Sequence, residues 1–183
     1  MKVREHIKTG LGAGLLVTLF WGIVQGIFFF LASWMPDADH PLDFLWRSRK
    51  RLKGLNLLNL KYVLSKTAEF DYACSTTDRV RRGDVLLILI FHTWEFLLFL
   101  YLLKVLVDAL GFNFLSPILL SIFWGTVFHI LLDVAYNVKL KIAPRIRTFS
   151  LIEYCVRKRL LRKKGIDVEK TFQEMLDSIG IPR

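Results

Sequence analysis

Histidine and carboxylate side chains occur in pairs within two apolar segments of this sequence. His92 and Glu95 are spaced i, i+3, and His129 and Asp133 are spaced i, i+4. Either spacing places both members of a pair on one face of a helix. An ionisable group costs about 2.5–3.5 kcal/mol at the centre of a membrane helix and usually serves a function there. Facing helices that present imidazole and carboxylate groups build metal sites in helical bundles.

A third group of the same residue types follows another apolar segment. The sequence MPDADHP at residues 35–41 contains two carboxylates and one imidazole. If the apolar segments are membrane helices, their spacing brings all three groups to one membrane face. We therefore predict a divalent metal site with the following candidate ligands: Asp37, Asp39, His40, His92, His129 and Asp133. This mixed nitrogen and oxygen set suits Zn, with Mn or Fe as alternatives.

The same residues also have a structural interpretation. Each His and carboxylate pair could be a buried polar contact that holds two helices together, and PDADHP could form a turn and a helix cap. If the site is catalytic, Glu95 is the candidate general base or a residue that orients a ligand. His6 reaches the site only if the first apolar segment folds back.

Three apolar segments predict an all-α integral membrane protein with about three transmembrane helices. Residues 11–34 contain no ionisable side chain. As a helix they would extend about 36 Å, which is enough to cross a hydrocarbon core of about 30 Å. Residues 85–107 and 115–138 form the other two segments. The first segment is longer than a typical signal-peptide core, and no small-x-small cleavage site follows it.

The basic residues, which outnumber the acidic ones to give a net charge of +10, predict the orientation of these segments. Ten lie in residues 35–84, twelve follow residue 138, and none lies in residues 108–114. The positive-inside rule therefore places residues 35–84 and the tail in the cytoplasm. A full crossing by residues 11–34 would put three N-terminal basic residues outside, whereas a broken helix would return them. The length of the segment favours the full crossing.

The chain is predicted to comprise a membrane-embedded metal-site domain over residues 1–140 and a basic helical cytoplasmic tail over 141–183. In the tail, Ser150 with Glu153 fits a capping box and Gly165 fits a helix end. A second short helix is predicted from Asp167 to Ser178. The run RKRLLRKK is either a solvated face or a surface attracted to anionic lipid headgroups. It lacks interleaved aromatic residues, so nucleic acid is not an expected partner.

Residues 1–140 resemble the YdjM-like group of membrane-bound metal-dependent hydrolases. The shared pattern comprises His6, then Pro36-Asp37-Ala38-Asp39-His40-Pro41, then His92, and then His129-Ile130-Leu131-Leu132-Asp133. The family's central motif reads His-Arg-Gly-x-Thr-His-Ser, and this chain has Phe91-His92-Thr93-Trp94-Glu95 instead. The resemblance implies a membrane-embedded metal site and hydrolytic activity.

Together these observations favour a metal-dependent hydrolase that acts at the membrane interface on a lipid-linked ester or phosphate. Anionic lipids are the expected partners, and a homo-oligomer is compatible with the sequence. Arg79, Arg81 and Arg82 could receive an anionic headgroup or act as positive-inside anchors. The expected location is a bacterial or archaeal inner membrane, with the site facing the cytoplasm. The alternative is a non-enzymatic membrane scaffold or effector subunit whose His and Asp residues are structural.

Overall fold

All regular structure that the computed structural model describes is helical, as predicted. The description covers residues 3–52, 59–76, 86–87, 89–139 and 150–181. The chain divides into two compact units. The first unit comprises Met1–Ala38 with Ile90–Ile142, and the second comprises Asp39–Leu89 with Ala143–Arg183. The structure thus differs from the predicted division after residue 140, because residues 39–89 group with the tail.

Two helices, and not one, occupy the first apolar segment. Helix α1 (Val3–Trp21) and helix α2 (Ile23–Ala32) are separated by Gly22, whose φ of 105° interrupts the helix. A residue with a side chain rarely adopts this backbone angle, and glycine does so readily. Residues 11–34 therefore do not form the one continuous helix that the predicted full crossing assumed.

Helices α1 and α2 form an antiparallel hairpin with closely packed backbones. A Cβ atom on Gly10 would meet Ser33, and one on Gly14 would lie 3.0 Å from Cβ of Phe30. A Cβ atom on Gly26 would meet the Thr18 hydroxyl. Small residues allow this close approach between apolar helices. The hairpin returns the chain to the end of the unit at which it began.

A second antiparallel hairpin completes the first unit. A short 3₁₀ turn (Ile90–His92) precedes helix α5 (Trp94–Ala109), and residues 110–114 connect α5 to helix α6 (Leu115–Lys139). The Thr93 hydroxyl accepts a hydrogen bond from the Phe96 amide and caps α5. The predicted helix over residues 85–107 thus begins nine residues later than expected, and His92 precedes it.

One helix in the described part of the chain is long and apolar enough to cross a membrane. It is Leu115–Tyr136 within α6, with a mean hydropathy of 1.9. The prediction of about three such helices is therefore not confirmed. The break at Gly22 leaves α2 with 10 residues, and the cap at Thr93 leaves α5 with 16. Helix α1 is longer but includes the charged N-terminal residues.

In the described residues of the second unit, four further helices surround a separate core. These are α3 (Asp39–Ser48), which follows a 3₁₀ turn (Met35–Ala38), α4 (Leu60–Thr76), α7 (Leu151–Lys163) and α8 (Val168–Ser178). Phe44, Phe70 and Phe172 are buried together at its centre.

The predicted helix ends in the tail are confirmed. The Ser150 hydroxyl accepts hydrogen bonds from the Ile152 and Glu153 amides at the start of α7. Gly165, with a φ of 76°, follows the end of α7. The Asp167 carboxylate caps α8 by accepting from the Glu169 amide.

Candidate metal centre

The two hairpins bring four chain segments to one end of the first unit. The beginning of α1, the end of α2, the turn before α5 and the last part of α6 meet there because each hairpin reverses the chain. Five side chains with nitrogen or oxygen donors converge at this end, and we call them the His/Asp cluster: His6, Asp37, His92, His129 and Asp133.

Distances within the His/Asp cluster are short enough for a shared ion. One ligand atom from each of His6, Asp37, His129 and Asp133 lies within 4.8 Å of the other three. His6 Nε2 is 3.1 Å from Asp133 Oδ1, and His129 Nε2 is 3.7 Å from Asp37 Oδ1. His92 Nε2 lies 2.9 Å from His129 Nε2 and 3.6 Å from Asp133 Oδ2.

Most of these separations are close to those between the ligands of a metal ion, and the 2.9 Å between His92 Nε2 and His129 Nε2 is shorter. Donor atoms held about 2.1 Å from a tetrahedral ion lie roughly 3.4 Å from one another. The distances between His6 Nε2 and the two carboxylates, 3.1 and 4.0 Å, lie on either side of that value. The 3.6–3.8 Å distances from His92 and His129 to Asp133 Oδ2 are also close to it. The residues therefore fit a divalent ion by geometry.

Burial gives a second reason why the cluster fits a cation. His6, His129 and Asp133 are fully inaccessible to solvent, His92 is 1% exposed and Asp37 is 8% exposed. Two carboxylates removed from water are strongly destabilising unless a positive charge compensates them. A divalent ion would balance both. A buried His and Asp group that could hold a metal ion is thus present in this protein.

The orientation of His129 is fixed by a backbone contact. Its Nδ1 donates a hydrogen bond to the carbonyl oxygen of Ser33, 2.9 Å away at the end of α2. In the neutral ring, that bond leaves a lone pair on Nε2, which faces the cluster. His6 stacks on the other side of the ring, with 4.0 Å between ring centroids. His129 is therefore oriented as a metal ligand would be.

Four of the predicted ligands lie together in this unit: Asp37, His92, His129 and Asp133. Asp39 and His40 belong to the second unit, where they form the first turn of α3. Asp39 is buried and His40 is half-buried, and their role as ligands remains a prediction.

Two residues differ from their sequence-based assignments. Glu95 lies half-buried in the first turn of α5, whereas His92 precedes that helix, so the pair does not share a helix face. His6 was set apart as a conditional ligand, yet it lies inside the cluster because the chain reverses at Gly22. The glycines of the first apolar segment were the sequence signal for that reversal.

No protein-family model, no curated protein and no solved structure matches this chain. The resemblance to the YdjM-like group therefore remains an expectation drawn from its motifs.

Proposed function

We propose that the first unit is membrane-embedded and uses a divalent metal ion to hydrolyse a lipid-linked ester or phosphate. The observation that carries this proposal is the convergence of His6, Asp37, His129 and Asp133 within 4.8 Å of one another. Polar contacts that only hold helices together do not require three buried imidazoles and two buried carboxylates so close to one another.

The donor types support hydrolysis more than electron transfer or a purely structural ion. A structural zinc site usually contains cysteine, whereas mixed imidazole and carboxylate sets are typical of hydrolytic metal sites. A bound Zn, Mn or Fe ion supplies an activated water at neutral pH and polarises a phosphoryl or ester oxygen. Asp37 and Asp133 supply the negative charge that holds the ion. Glu95, half-buried at the start of α5, is the candidate proton acceptor.

Exposed apolar side chains support the membrane location. Leu15, Leu16, Leu19, Phe20 and Trp21 of α1 are between 57% and 79% exposed. On α5, the apolar side chains of Leu98, Phe99 and Leu102 are each more than half exposed. Apolar patches of this extent are unfavourable in water and are typical of surfaces that contact lipid or protein. In α6, only 33% of the most apolar window is buried, whereas a core helix of a soluble protein would be mostly buried.

The position of the cluster along α6 supports a substrate that is itself part of the membrane. His129 lies seven residues before Tyr136, the end of the apolar stretch, which corresponds to a depth of about 10 Å. A lipid headgroup and its ester linkages lie near this depth, whereas a water-soluble substrate would have to enter the hydrocarbon boundary. We infer a lipid-linked substrate for this reason.

The hairpin of α1 and α2 also removes the charge conflict in the sequence. If α1 enters the membrane and α2 returns, the three basic residues before Gly10 lie on the same side as residues 35–84 and the tail. All three basic regions then follow the positive-inside rule. The His/Asp cluster would accordingly face the cytoplasm, in an inner membrane. Arg79, Arg81 and Arg82 lie outside the described residues, so their proposed contact with a headgroup remains a prediction.

Metal analysis and a lipid assay test the proposal together. Protein purified without chelator should contain about one or two Zn, Mn or Fe ions per chain. Asp133→Asn should lose most of the metal, because one charge of the cluster is removed at constant size. Asp108→Asn is the matched control, since Asp108 is exposed and pairs with Lys104 at the end of α5.

The metal-loaded protein would then be incubated with anionic and zwitterionic lipids, and the products would be identified by mass spectrometry. Hydrolysis that requires the metal and is lost in Asp133→Asn supports the proposal. Bound metal with no product from any lipid would reject the hydrolase and favour the scaffold. If the protein binds no metal when Zn, Mn or Fe is supplied, both the metal site and the metal-dependent hydrolysis are rejected.

A further inference from the structure

Helix α7 carries apolar residues on two different faces. Tyr154 and Leu161 on its inner face pack with Leu86 and Val168 of the same unit. Ile152, Val156 and Leu160 point away from that contact and are exposed by 70%, 51% and 52%. Their i, i+4, i+8 spacing aligns them along the helix, and we call them the outer stripe of α7. A helix that serves only its own core does not need this second apolar face.

Basic side chains lie beside the outer stripe. Arg159 follows Val156 by three residues, and Lys163 follows Leu160 by three, so both project from the same side of α7. Both are exposed. Glu153, the acidic residue of α7, forms an ion pair with Arg157 at 2.7 Å. Its negative charge is thus largely compensated by Arg157 and not by Arg159 or Lys163. The exposed face of α7 is therefore apolar along its middle and positive along its edge.

We propose that the outer stripe of α7 binds the surface of an anionic membrane. Three aliphatic side chains would enter the boundary between headgroups and acyl chains, and Arg159 and Lys163 would extend to the phosphates. Apolar insertion and electrostatic attraction strengthen each other, as in membrane anchors that combine two weak signals. This inference goes beyond the proposed function, although it rests on the membrane location proposed there.

The chain length is compatible with this contact. Ten residues, 140–149, connect α6 to the cap residue of α7. If α6 crosses the membrane, these residues can extend no more than about 36 Å. The start of α7 is therefore tethered close to the membrane surface, and binding requires no free diffusion from solution. A lipid surface is the occupant that this tether makes permanently available.

Cys155, which is exposed and adjacent to Val156, provides a reporter on α7. Cys74→Ser leaves it as the single thiol of the full-length protein. The protein would be labelled there with a polarity-sensitive fluorophore and reconstituted into nanodiscs that contain either mixed phosphatidylglycerol and phosphatidylcholine or phosphatidylcholine alone. We expect a blue-shifted emission and a several-fold smaller quenching by acrylamide in the anionic discs, with partial reversal at high salt.

Substitutions in the outer stripe distinguish insertion from attraction of the charges alone. The triple variant Ile152→Ser, Val156→Ser and Leu160→Ser should abolish the blue shift. The matched control is Leu60→Ser with Leu64→Ser, which removes two exposed leucines of the same unit from α4 and should leave the emission unchanged. Arg159→Ala with Lys163→Ala should remove the difference between anionic and zwitterionic discs.

Equal acrylamide quenching in both kinds of disc would overturn the proposal. Protection of the label in detergent that depends on protein concentration would also overturn it, because a second copy of the chain would then cover the stripe. Metal content measured on the same samples keeps the two proposals separate. Retained metal with an unprotected label rejects the lipid contact of α7 and leaves the proposed function intact.

Discussion

The position of the His6 side chain depends on a reversal of the chain sixteen residues away, at Gly22. Its ring stacks on His129, and its Nε2 lies between the carboxylates of Asp133 and Asp37, at 3.1 and 4.0 Å. No other cluster residue comes from α1. At the level of residues, His6 is therefore the most direct test of whether the first hairpin contributes to the proposed metal site.

We predict that His6→Ala reduces metal affinity at least about tenfold, because it removes one donor and leaves the Asp133 carboxylate without its nearest imidazole. Lys8→Ala is the matched control, since Lys8 is exposed on the same helix two residues away. Competition with a chromogenic chelator measures both affinities. Unchanged metal affinity in His6→Ala would show that the ion, if present, is held without α1.

Much of the His/Asp cluster could be predicted from the sequence, because its residue types are unusual in apolar segments. His92, His129 and Asp133 were identified by that contrast, and Asp37 by the PDADHP motif that follows an apolar segment. Their distances could not be predicted, since these depend on which helix packs against which. Glu95 was paired with His92 on the assumption of one continuous helix, but the Thr93 cap separates them. Asp39 and His40 were grouped with Asp37 by proximity in sequence, and their role as ligands stays a prediction.

At the level of elements, helix α2 positions the cluster through its close contact with α6. A Cβ atom on Gly125 would lie 2.5 Å from the Phe29 carbonyl oxygen and 2.8 Å from the Ala32 Cβ. The two helices therefore touch through their backbones at this point. One turn further along α6, His129 donates to Ser33. The separation of α2 and α6 thus controls the orientation of the His129 ring.

We predict that Gly125→Leu lowers the free energy of unfolding by about 1–3 kcal/mol, because the new side chain must push α2 away from α6. It should also weaken metal binding, since His129 would lose its contact with Ser33. Gly12→Ala is the control, because a Cβ atom on Gly12 meets no atom within 4 Å. Thermal unfolding in detergent and metal titration measure the two effects.

A Gly125→Leu protein as stable as the wild type would contradict the close packing of α2 and α6. Loss of stability with full metal affinity would contradict only the link between this packing and His129. The sequence offers part of this information, since glycines are common where apolar helices approach closely. The sequence does not indicate which glycine contacts which helix. A count of apolar residues also does not reveal that the helix over residues 11–34 is interrupted.

At the level of the whole molecule, the charge counts of the sequence overstate how much positive charge lies unpaired at the surface. Arg47, one of the ten basic residues in 35–84, is 8% exposed and lies over the Phe172 ring. It donates to the Leu86 carbonyl at 2.8 Å. Arg51 pairs with Asp177 at 2.5 Å. These long-range contacts within the second unit explain why residues 39–89 group with the tail, which periodicity and composition could not reveal.

If the first unit spans a membrane as proposed, the reversal at Gly22 decides on which side the N-terminus lies. We predict that the N-terminus and the tail share one side of that membrane. A single crossing by residues 11–34 would instead separate them.

In a background with Cys74→Ser and Cys155→Ser, single thiols at Lys8→Cys and Asn113→Cys would be compared with the native Cys155 alone. An impermeant maleimide applied to sealed inverted vesicles reaches the cytoplasmic side. It should label residues 8 and 155, because the proposed topology places both on that side, with the basic regions. It should label residue 113 only after the vesicles are opened, because residues 110–114 join α5 to α6 at the opposite end. Labelling of residue 8 together with residue 113, and not with residue 155, would establish a single crossing and would remove His6 from the proposed site.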